Sequence, residues 1–225
     1  KWKKNNLGKG WVIGETLITG IGQGYTQTTP LQLCLMTAQL ANGGFKIYPK
    51  IIVEENGKTS EEIKSFMNKN LDIKNDELEE VSELLSFINK EKHERLFKNS
   101  KNIKLVREAM FASTNEVRGT SYSSRIEDPK YQFAGKTGTS QVKRITKRDR
   151  ELDLKTLDIP YNERDHALYI AFGPYKNPRY ALSVVIEHGG SGSSVAAPIA
   201  KKLFKLIIDR HELREKQSKQ NDLEI

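Results

Sequence analysis

The sequence contains one cysteine, four histidines and no long apolar run, and each shortage excludes a class of protein. The single cysteine, Cys34, excludes an internal disulfide, and its apolar neighbours favour a small core residue. The histidines and the cysteine show none of the spacings that metal sites use, so we predict neither a metal site nor a cofactor. Because no segment approaches eighteen consecutive apolar residues, we predict no membrane span within these residues.

Acidic residues do not balance the basic ones, and the formal net charge is +8 at pH 7. This excess favours anionic partners such as nucleic acid, membrane surfaces or cell-wall polymers. The basic residues are scattered among acidic neighbours, however, with one denser group from Lys143 to Arg150. No aromatic side chains that could stack on bases accompany that group, so we predict no nucleic-acid binding.

The chain begins with Lys1 and shows no export signal, so we expect a fragment or a processed product. Its length and its 36% hydrophobic content suffice for one sizeable core, which we assign to residues 1–208. From about 56 to 104 the sequence is rich in Lys, Asn and Glu while apolar residues keep a helical period, which predicts a surface helical insertion. Residues 209–225 form a charged tail that we expect to fray.

Periodicity and turn residues predict the elements of this core. A proline at the first helical position and two following glycines bound a first helix, apolar nearly all round and therefore expected to be buried. A proline- and glycine-rich stretch, residues 173–178, joins two apolar runs as a hairpin. The fold class is thus α+β, with three antiparallel strands packed by helices. The predicted helices are 30–41, 103–115 and 196–208, and the predicted strands are 131–142, 167–172 and 180–186.

The stretch from Gly135 to Gln141 reads GKTGTSQ, which fits a phosphate-binding loop or one wall of a serine acyl-transferase site. A phosphate-binding loop needs a glycine five residues before its Gly-Lys pair, and Lys130 stands there. It also needs a following helix, because helix N-terminal amides hold the phosphates, whereas Ser140 to Val142 alternates like a strand. The sequence therefore excludes the nucleotide interpretation.

Several pieces of the sequence follow one another in this order: Trp11 with GET at 14–16, IGQGY at 21–25, TPLQL at 29–33, LANGG at 40–44, Gly119-Thr120, KTGT at 136–139 and the strand pair within 166–190. In this order they resemble the transpeptidase domain of class B penicillin-binding proteins, most closely the penicillin-binding protein 2 branch that serves rod-shape elongation. The resemblance covers most of the chain outside residues 56–104 and implies a fold similar to that of serine β-lactamases.

The resemblance implies roles for the KTGT residues. A serine acyl-transferase that acts beside a terminal carboxylate needs a nucleophile, a base, oxyanion donors, and a cation with hydroxyls for the carboxylate. Lys136 offers the cation, and Thr137 and Thr139 offer hydroxyls for a substrate or β-lactam carboxylate. By resemblance the Thr139 amide also contributes to the oxyanion hole, and Gly138 lets the substrate backbone approach. We predict Lys136 and Thr139 as catalytic, and all four residues as substrate-binding.

Two other motifs of the family match this sequence in residue type but not in structural context. Ser140 and Lys143 spell the Ser-x-x-Lys nucleophile motif, but residues three apart on a strand point to opposite faces and cannot pair as nucleophile and base. Residues 100–102 spell the Ser-x-Asn motif, yet they follow the glycine turn at 21–25 that the motif precedes in the family. We interpret both matches as coincidental and expect the nucleophile to lie outside this chain. A chain without that part would expose a sheet edge and part of its core.

Two histidines near strand ends suggest acid/base chemistry but have simpler explanations. Asp165 and His166 open a strand, where an ion pair or a cap is the favoured interpretation. His188 precedes two glycines and is interpreted as a turn residue rather than a contributor to the site.

The resemblance implies a peptidoglycan D,D-transpeptidase that acylates its serine with a stem peptide and passes the acyl group to a neighbouring stem. β-Lactams acylate such enzymes by mimicking the substrate. It further implies a periplasmic domain anchored in the bacterial inner membrane, with an elongation glycosyltransferase and rod-shape scaffold proteins as partners. Whether this chain alone is an enzyme stays open. The alternatives are a truncated module that binds peptidoglycan without catalysis, a remnant that does not fold alone, and a serine β-lactamase.

Overall fold

The computed structural model describes residues 1–49, 94–97, 99–143 and 156–221. Of the predicted insertion, residues 56–93 and 98 lie outside these ranges. The α-helices described are α1 (Trp2–Leu7), α2 (Ile13–Gly20), α3 (Pro30–Ala41), α4 (Ser100–Asn115) and α5 (Ala197–Asn221). The strands are β1 (Ala134–Ser140), β2 (His166–Gly173) and β3 (Tyr180–Ile186). Short 3-10 turns cover Tyr122–Ser124, Thr156–Asp158 and Tyr161–Glu163, and a π-turn covers Gly192–Ala196.

The strands form one antiparallel sheet in the order β1-β2-β3, as predicted. Lys136 pairs with Ile170 and Gly138 with Leu168, so the KTGT residues lie on the strand at one edge of the described sheet. β1 is shorter at both ends than the predicted strand 131–142. The α+β prediction is confirmed.

Helices cover both faces of the sheet. Alternate residues of β2 point to opposite faces: Ala167, Tyr169 and Ala171 belong to a core with α5, and Phe172 to a core with α3 and α4. On the α5 side, the rings of Phe133 and Phe204 stack with centroids 4.9 Å apart. Each large apolar side chain buried in this way contributes about 1.5–3 kcal/mol.

The start of α3 follows from its sequence. Thr29 Oγ1 accepts a hydrogen bond from the Gln32 amide at 3.2 Å, and Gln32 Oε1 accepts one from the Thr29 amide at 2.8 Å. This capping box and Pro30 at the first helical position fix the helix start. The prediction of burial on all sides was wrong: Leu31 is 63% exposed and Met36 40% exposed, because the described residues cover only the side that packs on the sheet.

The ends of α4 and α5 differ from the prediction. Asn99 accepts a hydrogen bond from the Lys101 amide at 2.9 Å, and this cap starts α4 three residues before the predicted Ile103. α5 continues past Ile208, where we predicted its end, to Asn221. Tertiary ion pairs hold this charged continuation, since Arg179 contacts Glu215 at 2.8 Å and Lys130 contacts Glu212 at 2.8 Å.

Among the helices within the described ranges, none combines the length and the apolar character that a membrane crossing requires.

Candidate active site

The KTGT residues present polar groups along the edge of β1 that pairs with no other strand among the described residues, here called the free edge. The Gly135 amide donates a hydrogen bond to Thr114 Oγ1 at 3.0 Å, away from β2. Lys136 Nζ donates to the Thr137 carbonyl at 2.7 Å, so that carbonyl also faces the edge. Because the backbone groups of alternate strand residues point to the same side, the Thr139 amide faces this edge as well. A ligand lying along β1 therefore meets backbone donors and acceptors in strand register.

Lys136 is an exposed cation at this edge. Its ammonium contacts the Thr137 carbonyl and lies 3.4 Å from Thr137 Oγ1. Within the described part of the chain it has no carboxylate partner. The positive charge is therefore available to an anionic ligand, beside the hydroxyl of Thr137.

A buried tyrosine supports the strand from behind. Tyr169 is fully buried, and its Oη lies 2.9 Å from Thr114 Oγ1 and 3.0 Å from Ser121 Oγ. Burial raises the pKa of the Tyr169 hydroxyl, and the hydrogen bonds with Ser121 and Thr114 oppose that rise. The ring leaves no room at Gly135, where a methyl group would lie 2.3 Å from Tyr169 Oη. Gly135 is thus required by packing.

Another glycine, Gly192, packs against the backbone of β1 and β2. A methyl group at Gly192 would lie 2.5 Å from the Leu168 carbonyl oxygen and 2.6 Å from that of Gly138. The π-turn that begins at Gly192 therefore rests directly on the backbone of β1 and β2. That a substrate approaches Gly138 closely stays a prediction. The close approach that the structure shows is that of Gly192, within the chain itself.

The positions of the residues that match Ser-x-x-Lys and Ser-x-Asn agree with our interpretation that both matches are coincidental. Ser140 is the last residue of β1, and Lys143 lies beyond the strand and pairs with Glu163 at 2.7 Å. Ser100 opens α4, and Lys101 donates its amide to the helix cap.

The two histidines tie strand ends together. His166 Nδ1 accepts a hydrogen bond from the His188 amide at 2.9 Å, and His188 Nδ1 lies 3.0 Å from the Arg164 carbonyl oxygen. His188 has a φ of 55°, which confirms a turn residue. Asp165 Oδ1 accepts a hydrogen bond from the Val142 amide at 3.2 Å, which confirms a capping role. Cys34 is half-buried, its Sγ lies 3.4 Å from the Ala181 carbonyl oxygen, and burial raises the pKa of its thiol.

Sequence reasoning assigned no role to four residues that lie in or behind this site. Ser113, Thr120, Tyr169 and Gly192 lie far from the KTGT residues in sequence, or carried no chemical motif of their own. The pair Gly119-Thr120 belongs to the family resemblance, which indicates that it lies in the transpeptidase domain but assigns it no role. Thr120 Oγ1 lies 3.2 Å from Thr137 Oγ1.

Comparison with known proteins identifies the family of this chain. The penicillin binding protein transpeptidase domain profile matches residues 3–205. The chain belongs to the penicillin-binding protein transpeptidase family, which confirms both the resemblance and the fold class.

Three of the similar proteins are a peptidoglycan D,D-transpeptidase and two penicillin-binding proteins 2. The chain is 34% identical over 209 residues to the peptidoglycan D,D-transpeptidase MrdA of Salmonella typhimurium, covering 92% of this chain and 29% of that protein. A structure of the Helicobacter pylori PBP2–MreC complex aligns with a TM-score of 0.62 and 28% identity, covering 91% of this chain and 30% of that one. Pseudomonas aeruginosa PBP2 in complex with WCK 5153 aligns with a TM-score of 0.59 and 31% identity, covering 89% and 34%. This chain thus spans less than a third of the length of the curated relative.

Proposed function

We propose that the chain serves peptidoglycan D,D-transpeptidation in cell-wall elongation and binds penicillins. The free edge of β1 carries this proposal, because a cation without a described carboxylate partner, two hydroxyls and an outward amide lie together there. The relatives named as peptidoglycan D,D-transpeptidases and PBP2 support it. The proposal assigns the nucleophile to no residue of this chain.

The edge strand suggests how a stem peptide binds. An extended peptide adds to β1 through backbone hydrogen bonds, as peptides add to other sheet edges. Its terminal carboxylate lies against Lys136, Thr137 and Thr139, where charge-assisted hydrogen bonds are strongest. The Thr139 amide donates to the oxyanion that develops on the attacked carbonyl. A β-lactam carboxylate takes the same place.

The setting of this chemistry is also proposed. Peptidoglycan and the β-lactams are met on the periplasmic side of the inner membrane, in assemblies that maintain cell shape. A rod-shape scaffold protein is the first partner to test, because the Helicobacter pylori relative is described in complex with MreC. An elongation glycosyltransferase, which would supply the glycan strands, is the second.

Labelling of native cell envelopes tests the activity. Envelopes are treated with a fluorescent penicillin, separated on a gel and probed with an antibody against this chain. We expect the antibody-positive band to carry the label, and excess unlabelled penicillin to abolish it. An antibody-positive band without label contradicts the proposal. Rapid loss of the label with release of hydrolysed penicillin would instead indicate a serine β-lactamase.

A further inference from the structure

A row of three hydroxyl groups runs from the last turn of α4 to β1. Ser113 Oγ lies 3.2 Å from Thr120 Oγ1, and Thr120 Oγ1 lies 3.2 Å from Thr137 Oγ1. Lys136 Nζ lies 3.4 Å from the same Thr137 oxygen. The Thr137 hydroxyl therefore has two polar neighbours within the chain before any ligand binds.

The backbone holds Thr120 in this row. A methyl group at Gly119 would lie 2.3 Å from the Ser113 carbonyl oxygen, so only glycine allows the loop to lie this close to α4. The Gly119 amide donates to the Glu116 carbonyl at 2.8 Å, and the Ser121 amide donates to the Ser113 carbonyl at 3.0 Å. Because these bonds flank Thr120 on both sides, its position does not depend on packing of its own exposed side chain.

The chemistry of the neighbours sets the direction of donation along the row. An ammonium group only donates hydrogen bonds, a carboxylate only accepts them, and a threonine hydroxyl has one proton and two lone pairs. If the Thr137 proton points to a ligand carboxylate, the Thr137 oxygen must accept from both Lys136 and Thr120. Thr120 has then used its only proton, so it accepts from Ser113.

We propose that Thr120 is a positioning residue that directs the Thr137 hydroxyl proton toward the carboxylate of the ligand, with Ser113 behind it. This inference rests on the proposed function in one respect, since it takes the ligand to be a stem peptide or a β-lactam that carries a carboxylate. Its consequence is specificity. Thr120 favours acylation by ligands with a free carboxylate more than by ligands in which that group is esterified, because an ester carbonyl is a weaker hydrogen-bond acceptor than a carboxylate.

The test compares two ligands on the protein as its own cell makes it. Acylation rates are measured with benzylpenicillin and with its methyl ester for the wild type, Thr120→Val and Thr120→Ser. We expect Thr120→Val to slow acylation by the free acid roughly 3- to 10-fold, the effect of one neutral hydrogen bond, and to slow acylation by the ester clearly less. Thr120→Ser keeps the hydroxyl and should restore the free-acid rate. An equal loss with both ligands, or no loss with either, overturns the inference.

A double-mutant cycle tests whether Thr120 acts through Thr137. In a Thr137→Val background, Thr120→Val should cause no further loss with the free acid. A further loss of the same size as in the wild-type background means that Thr120 acts on something else. Melting temperatures of all variants identify any that fail to fold.

One readout separates this inference from the proposed function. A wild-type protein that reacts with neither penicillin contradicts the proposed function. Scalar couplings of methyl-labelled threonine, which report the Thr137 χ1 angle without any reaction, then decide the inference. We expect one rotamer in the wild type and in Thr120→Ser, and a mixture in Thr120→Val. A single unchanged rotamer in all three proteins overturns it.

Discussion

At the scale of single residues, charge at Lys136 is the first quantity to test. Lys136→Met keeps the length of the side chain and removes the cation that faces the free edge of β1. Because hydrogen bonds to charged groups contribute about 1.5–3 kcal/mol, we expect acylation by benzylpenicillin to slow roughly 10- to 100-fold. Stopped-flow measurement of the acylation rate checks this prediction. Lys176→Met, at an exposed lysine of the β2–β3 hairpin, is the matched control and should react like the wild type.

Gly135 tests the packing behind the site. In Gly135→Ala the new methyl group would lie 2.3 Å from Tyr169 Oη and 2.5 Å from Tyr169 Cζ. The ring is fully buried and its hydroxyl is held by Thr114 and Ser121, so we expect a loss of unfolding free energy on the order of 1–3 kcal/mol. Urea unfolding measures the loss.

The control for that substitution is Gly10→Ala. Gly10 has open space around the position of a methyl group and no positive φ, so the free energy of unfolding should change by less than about 1 kcal/mol. Equal effects of the two substitutions would show that the Tyr169 ring does not restrict Gly135.

At the scale of elements, the charged half of α5 makes stability depend on pH. The Tyr131 hydroxyl, followed by Lys130, lowers the pKa of Asp209 below its ordinary value. A carboxyl with a lowered folded-state pKa stabilises the fold above its unfolded-state pKa, and this contribution is lost as the pH falls through the folded-state value. We therefore expect the melting temperature of the wild type to fall more steeply below about pH 4 than that of Asp209→Asn.

Thermal melts between pH 7 and pH 2.5 measure this difference. Glu116→Gln provides the control, because Glu116 is exposed and has no ion-pair partner among the described residues. Parallel pH profiles for the wild type and Asp209→Asn would contradict the prediction.

The elements themselves were largely predictable, because local signals define them. The capping box at Thr29 fixes the start of α3, and the apolar run of β3 matches the predicted strand 180–186. The helical continuation beyond Ile208 was not predictable, because ion pairs with Lys130 and Arg179 from distant parts of the chain hold it.

The arrangement of the candidate site was predictable in part for the same reason, although its role stays a prediction. The KTGT residues form one contiguous motif on a strand, and spacing and resemblance suffice to find them. Thr120 and Tyr169 reach the site only through tertiary packing, across 17 residues to Thr137 and across 55 residues to Thr114. No local pattern reports contacts of this kind.

At the scale of the whole molecule, the described residues leave an apolar band on the surface. Within residues 11–31, Ile13 is 85% exposed, Ile21 73% and Leu17 71%, and neither α1 nor α2 has a buried residue. Exposed apolar patches of this kind bind apolar dyes and lower solubility. We expect the 225-residue chain on its own to bind anilinonaphthalene sulfonate strongly.

Substitutions in the band check this expectation. Ile13→Lys with Leu17→Lys should lower dye fluorescence and raise the saturating protein concentration, with an unchanged far-ultraviolet circular dichroism spectrum. Leu206→Lys with Leu213→Lys, at exposed leucines of α5, is the matched pair and should change dye binding less. Equal responses of the two pairs would argue against a distinct band.

The contact of Gly192 with the backbone of β1 and β2 has a mechanical meaning. Side chains between two elements act as soft spacers, because rotamer changes absorb small displacements. No spacer separates Gly192 from the carbonyls of Gly138 and Leu168, so the turn and the strand touch as stiff surfaces. A shift of this turn, which directly precedes α5, is therefore transmitted to β1 at Gly138 almost undiminished. The KTGT strand and the turn that precedes α5 therefore move together.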